Sequence, residues 1–352
     1  MKKFFFSLVV LSVASLFIAS TNTFAQKQTG KDVIKLRVAD SFPLTHFMSV
    51  HGIQYWMKKV EEYTNGKVKC QHFPAGQLGK STELFNVVCS GMADVAYIAT
   101  PYTVGKTPFA SGLGSLPMVY ENARIGSWAY WKTLSSDPVL HHDFLKFGLR
   151  PVLAWVTPGY EIFTSKKVIR VPEDVKGLKI RGPGGLLDKT EQAVGAVPVY
   201  IPAPEIYQSL QRGVIDAVAF SYGSAKAYKI NELVNQATSG LNFPGGGLAL
   251  AIREEVYRKM EGNIKNAIKK ASDETVKHLA DFIEKDNESI KQEFIKKGMK
   301  IYKLTSQDQE KWKNLIQVVK DEWVNEMEKK GFAARQALDN YLKEIEKARE
   351  IF

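Results

Sequence analysis

Residues 171–181 read VPEDVKGLKIR and place an arginine, Arg181, at the carboxyl end of a short strand. Upstream, Gly177 follows an acidic-capped turn; downstream, Gly182-Pro183-Gly184-Gly185 opens a helix. A guanidinium at a strand end beside a helix N-terminus makes a site for an anion. Its planar fork holds a carboxylate through two parallel hydrogen bonds. An ordinary surface ion pair is the other reading these residues allow on their own.

Other chemistry is thin. Gly182-Pro183-Gly184-Gly185-Leu186-Leu187-Asp188-Lys189-Thr190 has the outline of a phosphate loop, but Leu187 and Asp188 precede the lysine where glycine is needed. GxGxxG, GxSxG and HExxH motifs are absent from the sequence. His141 and His142 are adjacent and diverge on a helix, and His46 and His72 stand alone, as structural or exposed residues. Cys70 and Cys89 are an even pair that reads either as a disulfide or as two buried thiols. Neither a cofactor nor a metal is expected, and the chain does not read as an enzyme.

The elements that must position Arg181 alternate strand and helix. Strands are expected at 33–39, 68–73, 94–99 and 149–156, with helices at 47–63, 81–90 and within 123–147. This order predicts an α/β fold with a mainly parallel sheet covered on both faces. Thr157-Pro158-Gly159 is a candidate crossing into a second unit, whose strands fall at 162–164, 178–181, 197–200 and 217–221. A second crossing, residues 242–247, leads back to a strand at 248–252. From Glu254 the chain is nearly all helix, broken near 298–304, and Trp312, Ile316, Val319, Trp323 and Met327 repeat at helical spacing as a face packed on the protein itself.

Residues 1–25 have the form of a cleaved export signal: Lys2 and Lys3, an apolar run from Phe4, and Thr23-Phe24-Ala25. The chain carries 48 basic and 37 acidic side chains, so its formal charge of +11 becomes +9 once Lys2 and Lys3 are removed. The late lysines alternate with glutamates as on a solvated helix face, and no aromatic-interleaved basic cluster points to nucleic acid. About 327 mature residues suffice for two cored lobes.

Three segments in order carry a resemblance. PxxQLG at Pro74–Gly79, GLKIR at Gly177–Arg181 and ExYxxLQxGxxD at Glu205–Asp216 resemble the extracytoplasmic solute-binding proteins of tripartite ATP-independent periplasmic (TRAP) transporters, of the DctP type. The resemblance implies a periplasmic-binding-protein-like fold, two α/β lobes joined by a hinge, with long C-terminal helices bracing both. Lobe I would be 31–158 plus 246–285, and lobe II 159–245 plus 286–352. It implies a periplasmic, monomeric receptor that captures a small organic acid between the lobes and delivers it to membrane permease subunits. In that family the GLKIR arginine, here Arg181, holds the ligand carboxylate. A receptor for a sensor or an ATP-driven importer, and a secreted enzyme on the same fold, are the alternatives.

The departures bear on the ligand. Relatives that bind acidic sugars carry a second arginine where this chain has Glu161, and an asparagine where it has Phe220; metal-assisted keto-acid binders have Glu-Trp at Ala219-Phe220. The expectation is a monocarboxylate with an apolar or aromatic body, with an amino group facing Glu161. An ion pair of Glu161 with Lys166 or Lys167, and a core role for Phe220, are the alternatives. Phe42, Thr100 and Tyr102 follow strand ends where ligand groups converge, and Trp155 is either an aromatic wall or core.

Overall fold

The computed structural model describes residues 33–352, and the expected export signal lies outside them. The strands are β1 (Ile34–Ala39), β2 (Val68–Phe73), β3 (Val95–Ala99), β4 (Leu149–Val156), β5 (Glu161–Thr164), β6 (Lys179–Gly182), β7 (Val197–Tyr200), β8 (Ala217–Phe220), β9 (Gln236–Ser239), β10 (Gly247–Arg253) and β11 (Lys300–Lys303). They form two sheets. The first has the order β2-β1-β3-β10-β4, the second β11-β9-β5-β8-β6-β7.

In the first sheet β1 runs parallel to β2 and β3, as the alternating order predicts. β10 breaks that pattern: it lies antiparallel to both β3 and β4. The chain re-enters this lobe from the second crossing, so β10 must run against the strand that left it. Wholly buried runs such as VAYIA in β3 belong to strands covered on both faces. Pro151 and Pro198 sit in β4 and β7, the edge strands, where a missing N–H costs no ladder bond.

The two crossings run side by side. Tyr160 and Phe243 exchange backbone hydrogen bonds of 2.8 and 2.9 Å, and Thr157 N donates to Gly246 O at 3.0 Å. Thr157 Oγ1 accepts from Gly246 N at 2.9 Å. A Cβ at Gly245 would collide with that same Thr157 hydroxyl, so the approach requires glycine.

Each lobe has its own apolar core. The first gathers Leu36, Trp56, Ile98, Trp155 and Leu250; the second gathers Phe163, Ile180, Val218 and Phe243. The helix Gly262–Lys296 serves both, giving Ile264 to Ile283 to the first and Ile290 and Phe294 to the second. Residues 286–352, expected in lobe II, give side chains to both cores. Trp312 and Ile316 join the second core, but Val319, Trp323, Met327 and the helix Ala334–Ile351 pack into the first. The helix Ala334–Ile351 packs against the helix Ala123–Leu134 there.

The break near residue 300 is a strand, β11, parallel to β9 at the edge of the second sheet. Cys70 is half-buried and Cys89 exposed, and both are free thiols. No helix among the described residues is long and apolar enough to cross a membrane.

Candidate functional site

The ends of β1, β3, β6 and β8 meet the paired crossings around a cavity of about 40 Å³ between the lobes. Phe42, His46 and Tyr102 line it from the first lobe, and Arg181 and Phe220 from the second, with Tyr160 at the crossing. A space of that size takes about one water molecule, well below the roughly 300 Å³ or more of a ligand pocket, so a bound acid requires the lining side chains or the lobes to move apart.

Arg181 is only 1% exposed. Its Nε donates to Ile201 O at 2.8 Å and its Nη2 to the Tyr102 hydroxyl at 3.0 Å. The guanidinium stands 5.4 Å from the Phe220 ring centre, within cation–π range. Among the described residues, no carboxylate forms an ion pair with it. Burial pushes the nearby Asp188 carboxyl upward and Glu191 well above the usual carboxylate range, and the Arg181 charge draws both partly back. A buried guanidinium without a directly ion-paired carboxylate is costly unless an anion arrives.

Around it the wall is aromatic. Phe42 packs on Tyr97 at 4.5 Å between ring centres, and Phe220 packs on Tyr160 at 5.6 Å and on Tyr228 at 5.9 Å. Burial raises the Tyr97, Tyr160 and Tyr228 phenols, and the Arg181 charge pulls Tyr160 and Tyr228 partly back. All stay protonated at neutral pH and can donate. The cavity therefore offers one cation, several phenolic hydroxyls and flat apolar faces, which suits a small acid with a flat body. No group of three or more His, Cys, Asp or Glu among the described residues is placed to hold a metal ion.

Arg181, Phe220, Phe42 and Tyr102 all line the cavity. Thr100, Trp155 and Glu161 do not. Thr100 Oγ1 donates to Gly247 O at 2.8 Å, tying β3 to β10. Trp155 is fully buried, its ring 6.3 Å from that of Tyr97 and behind it. Glu161 turns away from the cavity and accepts from the Thr238 hydroxyl at 2.6 Å, Gly240 N at 2.8 Å and Leu241 N at 3.2 Å. It faces neither a ligand amine nor Lys166 or Lys167, because the loop after β9 encloses its carboxylate.

His46, expected as a structural or exposed residue, is found in the cavity lining. It is buried, 1% exposed, with its ring at the cavity wall. Tyr97, Tyr160 and Tyr228 also line it. Tyr97 could have been found by position, since it lies in β3 two residues before Ala99 on the strand whose end was singled out. His46 and Tyr228 come from loop and helix-end positions that carry no spacing signal.

The family model for bacterial extracellular solute-binding proteins, family 7, matches residues 45–327. A solute-binding protein from Albidiferax ferrireducens is similar at 24% identity over 268 residues, 75% of this chain and 77% of its own. The C4-dicarboxylate-binding periplasmic protein DctP of Rhodobacter capsulatus is 24% identical over 292 residues, 81% of this chain and 85% of its own. A TRAP solute-binding protein of Rhodoferax ferrireducens, solved with copurified benzoate, has a TM-score of 0.83 and 25% identity, covering 90% of this chain and 99% of its own.

Proposed function

This chain belongs to the bacterial extracellular solute-binding proteins of family 7, and from that premise we propose that it is a periplasmic receptor for a small aromatic monocarboxylate. The observation that carries the reading is Arg181: a buried cation without a carboxylate partner among the described residues, in a cavity walled by aromatic rings. In this reading the ligand carboxylate takes the fork of Arg181 and its ring lies against Phe220 and Phe42. In a dry cavity such a charge-assisted pair is stronger than in water. The benzoate found in the similar Rhodoferax protein supports the same ligand class.

Capture works through the lobes. A ligand that touches both favours the closed arrangement, in which Tyr102 of the first lobe bonds Arg181 and Ala203 of the second. The closed, monomeric receptor then presents its cargo to the membrane permease of a TRAP transporter. Opposing Glu161 no longer asks for an amino group on the ligand, so the proposed acid carries none there.

Isothermal titration with benzoate and with sugar acids tests the reading. Benzoate should bind and a sialic-acid-like sugar should not; binding of the sugar alone would remove the aromatic reading. Mass spectrometry of solutes that copurify with the native protein identifies the natural ligand independently.

A further inference from the structure

His46 sits just before a helical run that opens at residue 47, and its Nδ1 accepts the backbone N–H of Met48 at 3.1 Å, capping that helix start. The bond fixes the tautomer. A neutral imidazole that accepts at Nδ1 carries its hydrogen on Nε2. That Nε2 is buried and has no hydrogen-bond partner among the described residues, although the ring lines the cavity. Phe42 at 4.6 Å, Phe47 at 4.7 Å and Tyr228 at 5.2 Å hold the ring in place by their faces and edges, so it cannot turn to find another partner.

Among the described residues, the hydrogen bonds of the guanidinium go to Ile201 O and the Tyr102 hydroxyl rather than to His46. Arg181 acts on the Tyr160 and Tyr228 phenols, whereas burial alone pushes His46 down to about 3. Ring contacts lead from Arg181 through Phe220 and Tyr228 to His46. A single carboxylate held by Arg181 therefore leaves the His46 donor unanswered. A buried donor left unmade costs free energy that a ligand atom can recover.

We infer that His46 reads the far end of the bound acid: its Nε2–H donates to an oxygen on the ligand body, so the receptor prefers an aromatic acid bearing a ring hydroxyl, ether or carbonyl oxygen over the bare ring. The inference rests on the aromatic-acid reading above and narrows it. Because the donor tautomer is fixed, an acceptor is rewarded and a methyl group of similar size is penalised, the asymmetry expected of a site built around a polar group. His46 stays neutral from pH 5 to 8, so the preference does not depend on pH in that range.

The experiment is isothermal titration of the mature chain with benzoate, 3- and 4-hydroxybenzoate, and 3- and 4-methylbenzoate. In the wild type, hydroxyl should outbind methyl by about ten-fold or more at one of the two ring positions. His46→Asn keeps an oxygen to cap Met48 N–H but cannot reach the Nε2 position, so the hydroxyl-to-methyl ratio should fall close to one. His46→Gln places an amide nitrogen near Nε2 and should restore much of the ratio. Circular dichroism establishes that each variant is folded; if His46→Asn is not, the wild-type ratio and its retention in His46→Gln decide. A wild-type ratio near one at both positions with benzoate still bound, or a ratio unchanged in His46→Asn, overturns the inference and leaves the aromatic-acid reading standing. Failure of all five acids to bind the wild type overturns both.

Discussion

The Tyr102 hydroxyl accepts two hydrogen bonds from the opposite lobe, from Arg181 Nη2 at 3.0 Å and from Ala203 N at 2.9 Å. One oxygen thus satisfies two donors, one of them the buried Arg181, and leaves the phenolic hydrogen to donate elsewhere. Tyr102→Phe removes the acceptor and strands both donors, at a cost of about 1–3 kcal/mol to the closed form. Small-angle scattering at saturating ligand should show a larger mean radius for the variant, and titration should show about ten-fold weaker binding. Unchanged scattering and affinity would mean that Tyr102 does not hold the lobes together.

Arg181→Ala should reduce affinity for a carboxylate by about 2–5 kcal/mol, which is loss of measurable binding for a micromolar ligand. Arg181→Lys keeps the charge but not the fork, and should fall between the two. Titration on variants with native circular dichroism measures this. Equal affinity for Arg181→Ala and the wild type would place the carboxylate elsewhere.

Glu191 is fully buried, and its carboxyl oxygens have no hydrogen-bond partner. Burial raises it well above the usual carboxylate range, so the folded protein keeps a proton that the unfolded chain gives up near pH 4.5. The folded state then binds more protons, and stability must fall as pH rises above that value. Glu191→Gln preserves the shape and removes the ionisation. Its melting temperature relative to wild type should increase steadily from pH 5 to 8; parallel curves would show that Glu191 ionises freely in the fold.

Gly245→Ala forces a Cβ against Thr157 Oγ1 and Pro158 O, where the two crossings touch. Overpacking of this kind costs about 1–3 kcal/mol. Thermal unfolding should shift down by several degrees, and ligand affinity should fall with it because the strained backbone is the hinge itself. Gly262→Ala, where a Cβ meets open space at the start of a helix, is the control that should leave both unchanged.

Much of this architecture was legible because its signals are local. Alternation in β1, buried apolar runs in β3 and β4, and glycine-rich crossings at 157–159 and 242–247 each specify their own geometry. β10 and β11 were harder. The direction of β10 depends on the chain returning through a crossing, and β11 is four residues, KIYK, whose strand form comes from pairing with β9 rather than from its own pattern. The site divides the same way. Arg181 and Phe220 lie at strand ends, where position alone directs a side chain to the cleft. Glu161 lies at the start of such a strand too, yet three donors from Thr238, Gly240 and Leu241 capture it, and those partners lie 77 to 80 residues away in sequence. His46 was lost for the opposite reason: only the fold shows that Phe42, Phe47 and Tyr228 enclose it.

The central place of β10 imposes an order of assembly. The first sheet is not continuous until residues 247–253 slot between β3 and β4, and the first core also waits for Val319 to Ala348. The strands β5 to β9, by contrast, lie in one uninterrupted stretch. A chain emerging from its N-terminus must therefore hold β3 and β4 apart, with unpaired edges, while β5 to β9 of the second lobe are made. Those edges are open to aggregation for as long as the wait lasts. Shortening the wait, by a circular permutation that starts the chain within the second lobe and brings β10 in before β4, would make the first lobe quicker to form without touching the cleft.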